Sequence, residues 1–134
     1  MIGELIRALA DRVEVTMVVG DQRSVSEGFL RPGELRYSEQ DGWATVEGKN
    51  WHLHFRLDAV DRVEFEEQPS HCLGGKLSYA VQWRDREGKA VLGAYLSNTY
   101  DAAGRADDGK VAVFRELQAR FANGGQGPEV GGRG

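Results

Sequence analysis

Two histidines, His52 and His54, are the side chains of this sequence best suited to chemistry. They stand in the run Trp51-His52-Leu53-His54-Phe55-Arg56-Leu57, where apolar and polar residues alternate. Successive side chains of a strand point to opposite faces, so both imidazoles and Arg56 share one face. Trp51, Leu53, Phe55 and Leu57 share the other, which must face a core. Neutral imidazole is a ligand for iron, zinc and copper, and a guanidinium two residues on suits a carboxylate. The same alternation also describes a plain solvated face, and both readings stand at this point. A zinc site would need further ligands. His71 and Cys72 are the other candidates, in a loop that lacks the regular spacing of structural zinc sites.

Other chemistries lack their residues. The sequence holds no Gly-x-Gly-x-x-Gly, no phosphate-binding Walker loop and no Gly-x-Ser-x-Gly. No Ser-His-Asp or Cys-His arrangement is supported by spacing. The acids at Glu64, Glu66 and Glu67 and at Asp107 and Asp108 read as solvated faces. With 17 basic against 21 acidic residues the formal net charge is −4, so nucleic acid is not an expected partner. One cysteine, Cys72, cannot close an internal disulfide, which fits a reducing compartment. No apolar run is long enough to span a membrane, and residues 1–12 lack the pattern of a signal peptide. A cytoplasmic protein is expected.

The elements that must position these residues are legible from periodicity. Ile2, Leu5, Ile6 and Leu9 recur at helical spacing. Val13, Val15, Met17 and Val19 then alternate as a strand, and residues 24–30 return. Pro32-Gly33 is a turn, residues 35–38 extend, and Asp41-Gly42 joins them to residues 43–47. Residues 51–57, 60–67, 77–83 and 90–96 complete about eight strands. Asp85 to Gly88 forms a hairpin loop between the last two. Val111, Phe114, Leu117 and Phe121 give a closing helix, with Asp107 or Asp108 as its cap. The expectation is an α+β fold: a large, mostly antiparallel β-sheet meander flanked by an N-terminal and a C-terminal helix. Of 134 residues, 1–122 are expected to form one domain. Residues 123–134, with six of the 18 glycines, read as a disordered tail.

Three segments carry a resemblance to a known family. Residues 42–65 (GWATVEGKNWHLHFRLDAVDRVEF), 77–96 (LSYAVQWRDREGKAVLGAYL) and 111–122 (VAVFRELQARFA) resemble, in order, the HemS/ChuX/HutX-like heme-utilisation family. The resemblance implies an intracellular heme-binding protein for heme uptake, trafficking or storage, more a carrier than an enzyme. It also implies a single copy of a domain that longer members carry twice, and hence a homodimer. His54 best matches a heme-ligand position of the shorter members, His52 is the alternative, and Arg56 would hold a heme propionate. A second axial ligand has no clear position, His71 being a guess. Two other functions remain open: the same fold used for protein interaction or a small ligand without heme, and heme degradation with an external reductase.

Overall fold

The computed structural model describes residues 2–122. The expected tail, residues 123–134, lies outside them. The chain folds as helix α1 (Ile2–Ala10), strands β1 (Val15–Asp21), β2 (Ser24–Leu30), β3 (Arg36–Gln40), β4 (Trp43–Glu47), β5 (His52–Arg56), β6 (Arg62–Pro69), β7 (Leu77–Arg84) and β8 (Ala90–Leu96), and helix α2 (Asp108–Leu117). A π-helical turn, Gln118–Ala122, ends the description. The α+β, antiparallel reading holds. The strands divide between two sheets, one in the order β2-β1-β8-β7-β6 and one in the order β3-β4-β5. Within the larger sheet β1 pairs with β8 as well as with β2, so the ends of the strand series meet.

Turn chemistry explains the local path. Asp41 and Gly42 both adopt positive φ, at 54° and 83°, which a two-residue hairpin of matching twist requires. Asp107 caps α2 by accepting a hydrogen bond from the Lys110 backbone N–H at 3.2 Å.

The core lies on one side of the five-stranded sheet. Val15 and Met17 of β1, Leu92 and Ala94 of β8, and Tyr79, Val81 and Trp83 of β7 point inward and are buried. They join one cluster with Leu5, Ile6 and Leu9 of α1, Phe114 and Leu117 of α2, and Ala44, Val46 and Phe55 of the small sheet. Phe114 meets Phe65 and Tyr79 edge-on, each at 5.4 Å between ring centroids, a favoured aromatic geometry. Both helices and the small sheet therefore cover the inner face. The outer face carries Thr16, Val18, Gln82 and Tyr95.

One side chain ties the sheets together. The Trp51 indole, at the start of β5, lies against Gly28 of β2 and Gly48 of the β4–β5 turn. Its Nε1 donates to the Phe29 carbonyl at 3.1 Å. A Cβ at either glycine would collide with the indole ring, so both positions need glycine for close approach. Gly28→Ala and Gly48→Ala are each expected to cost about 1–3 kcal/mol, the range for overpacking a filled site. Urea denaturation checks this, as a lower midpoint at an unchanged slope.

Candidate functional site

The small sheet places the expected site residues on one face. Its register sets Glu47 opposite His52, Thr45 opposite His54 and Trp43 opposite Arg56. On the other flank Arg36, Ser38 and Gln40 stand opposite Glu47, Thr45 and Trp43. Period two puts all nine on the same side, while Ala44, Val46 and Phe55 fill the core behind them. The outward face is thus a three-by-three array with the imidazoles on its edge strand. His52, His54 and Arg56 are exposed.

The two imidazoles are not equivalent. Their ring centroids are 5.1 Å apart with the planes tilted by 57°. His54 Nδ1 lies 2.9 Å from the Thr45 hydroxyl. With Nδ1–H donating to Thr45 Oγ1, the lone pair of Nε2 is free and faces solvent, the usual arrangement of a ligating histidine whose other nitrogen is held. Among the described residues the His52 ring has no such partner. Sequence reasoning missed Thr45 and, although Trp43 stood out as a strand aromatic, did not place it beside Arg56. The signal was there, because a hairpin centred on residues 49 and 50 puts residue 45 opposite 54 and residue 43 opposite 56.

Arg56 is committed locally. It pairs with Asp58 at 3.2 Å and its guanidinium lies 5.3 Å from the centroid of the Trp43 ring. That pairing holds the Asp58 carboxyl below its usual range. An incoming carboxylate would compete with Asp58, and Trp43, 44% exposed, offers an aromatic surface beside it.

His71 and Cys72 sit elsewhere. They belong to a single 3-10 turn, His71–Leu73, between β6 and β7 of the large sheet. There they line a cleft of about 310 Å³ with Glu66, Ser78 and Tyr95. Among the described residues no group of three or more His, Cys, Asp or Glu converges as a metal site, so the imidazole pair gains no third ligand from them. The residues present fit heme in ligand chemistry: one oriented imidazole, an indole and a guanidinium on a flat surface. They leave the opposite side of any ligand on this face open.

The outer face of the large sheet has its own polar network. Gln82, 6% exposed, donates to the Tyr95 hydroxyl at 2.9 Å. Arg84 bonds Glu64 at 2.6 Å and also Glu66. Arg62 bonds Glu64 at 2.9 Å. On the opposite, inner face, beside Tyr79, Glu67 pairs with Arg115 of α2 at 3.0 Å. These acids are paired, in contrast to the solvated run expected from sequence. The reason is cross-strand register, which sets Glu64 and Glu66 beside β7.

A family model matches residues 3–123. No curated protein matches the sequence. Among solved structures the chain is similar to protein AGR_C_4470 from Agrobacterium tumefaciens, at 23% identity and TM-score 0.71, covering 90% of this chain and 66% of that one. It is similar to the heme-binding protein ChuX at 15% identity and TM-score 0.72, covering 90% and 72%. It is also similar to the heme-degrading enzyme ChuS of Escherichia coli O157:H7, at 15% identity and TM-score 0.63, covering 87% of this chain and 32% of that one. These likenesses show the fold. Among the described residues no helix is long and apolar enough to cross a membrane.

The acid network gives a pH dependence. The Arg62 hydrogen bond, then that of Arg84, holds the Glu64 carboxyl below its ordinary value of 4.5, against the burial that raises it. A carboxyl depressed in the folded state stabilises above its unfolded value, and that contribution is lost as pH falls through the folded one. Thermal stability is therefore expected to drop below about pH 4.5, and Glu64→Gln to flatten that acid limb while lowering stability at pH 7. A series of melting temperatures from pH 7 to pH 3 checks both.

Proposed function

The chain belongs to the HemS/ChuX-like family, and from that premise we propose that it binds heme and acts as a heme carrier or store in the cytoplasm. The observation that carries this reading is the His54–Thr45 pair. It presents one oriented imidazole nitrogen to solvent beside an indole and a guanidinium. His54 would ligate the iron through Nε2, with His52 next to it as the weaker candidate. Heme bound here would supply an iron whose properties follow from this axial imidazole and from whatever covers the macrocycle. Arg56 would hold a propionate in exchange for Asp58, and the exposed Trp43 indole would offer the macrocycle an apolar contact.

The same reading includes a homodimer. A chain that spans 32% of ChuS accords with one copy of a repeated domain. The outer face of the five-stranded sheet, with Val18 and Tyr95, gives two protomers a surface on which to stack sheet against sheet.

One observation favours a second reading, the same fold serving a small ligand or a protein partner without heme: the histidine face is open, with both rings exposed. Hemin titration separates the two. The heme reading expects a saturable Soret shift that is lost in His54→Ala and retained in His52→Ala. Arg56→Ala should weaken binding roughly two- to fivefold, the scale of an exposed ion pair, and Asp58→Asn should strengthen it by a similar factor. An unshifted Soret band in the wild-type protein, or the same shift in both histidine variants, would contradict it.

A further inference from the structure

The outer edge of β2 is bare over residues 24–27. The Phe29 carbonyl accepts from Trp51, so it points away from β1. Backbone groups alternate in direction along a strand, so the N–H and C=O of Val25 and Glu27 also point outward. Trp51 covers this edge at residues 28–29, and the cover ends there. Residues 24–27 are all exposed, and Val25, at 55%, is the most exposed large apolar side chain among the described residues. The opposite edge strand, β6, is half-buried over residues 62–67 and is crossed by the Arg115–Glu67 pair. Bare edges of this kind template strand pairing, and folds usually blunt them.

The β2 edge is complementary to itself. An antiparallel pairing of two copies about a two-fold axis at Val25 sets Val25 opposite Val25. It also sets Ser24 opposite Ser26, twice by symmetry, and brings the side chain of Arg23, in the β1–β2 turn with its own N–H bonded to Asp21 Oδ1 at 2.8 Å, towards Glu27 of the other copy. Among the described residues neither Arg23 nor Glu27 has an ion-pair partner within its own chain. Cross-strand opposite charges, hydroxyl pairs and β-branched pairs each favour pairing.

We propose that β2 pairs edge to edge with β2 of a second copy, joining two five-stranded sheets into one continuous sheet. This contact is separate from the stacking of outer faces and does not rest on heme binding. With both contacts formed, the chain assembles as a dimer of dimers; with the edge alone, as a dimer. The edge is short, so association through it is concentration-dependent.

Sedimentation velocity over a concentration series tests this with the full chain. Wild-type protein is expected to gain a species of doubled mass as concentration rises. Arg23→Glu and Glu27→Arg should each weaken that step roughly two- to fivefold, and the two together should restore it. Tyr95→Arg, on the outer face, should leave it in place. In a Cys72→Ser background, Val25→Cys should cross-link to itself under mild oxidation, since directly opposed, hydrogen-bonded residues have Cα atoms about 5.5 Å apart, within disulfide reach. Gln22→Cys at the hairpin tip should not. A doubling step that the charge variants leave unchanged, its loss in Tyr95→Arg alone, no step at any concentration, or equal cross-linking at positions 22 and 25 would overturn the proposal.

Discussion

The orientation of the small sheet, and with it the place of the histidine face, depends on the seat of Trp51. Three strands of five residues each bury too little surface to fix their own position. The indole fits where Gly28 and Gly48 leave room, and its N–H satisfies a carbonyl of β2 that would otherwise be an unpaired edge group. The same residue therefore joins the two sheets, caps part of an exposed edge and starts the strand that carries His52 and His54. With Trp51 turned inward, period two turns the imidazoles outward. The core behind β5 and the ligand chemistry in front of it are two results of one alternation.

Electrostatics then differentiates residues that the alternation treats alike. Thr45 holds one nitrogen of His54 at 2.9 Å and leaves the other exposed, which fixes the orientation of that ring. His52 has no equivalent among the described residues. Asp58 and Trp43 hold Arg56 in place, which preorganises the guanidinium but sets a competing anion beside it. A ligand carboxylate gains only the difference between its own pairing and that of Asp58. The site as a whole is a flat surface, so a flat ligand gains contact on one side from this chain and must be covered on the other by something else.

Much of the fold was legible in the residues. Both helices, all eight strands and the turns at Asp41-Gly42 and Asp85 to Gly88 follow from periodicity and turn chemistry. The division into two sheets does not, because it depends on a contact between Trp51 and two glycines, one 23 residues before it and one in the adjacent turn. The shared face of His52, His54 and Arg56 was readable from spacing alone. The rank of His54 over His52 was not, since it rests on a cross-strand neighbour. The acids of β6 misled for the same reason: along the strand they look solvated, and across it they meet Arg84.

The central claim is that iron binds Nε2 of His54 on the outward face of the small sheet. A crystal structure of the hemin complex tests it most directly. The expected result is iron within bonding distance of His54 Nε2, with Nδ1 still held by Thr45 and the macrocycle in contact with Trp43. Iron bound instead to His71, or to any residue outside β5, would contradict it.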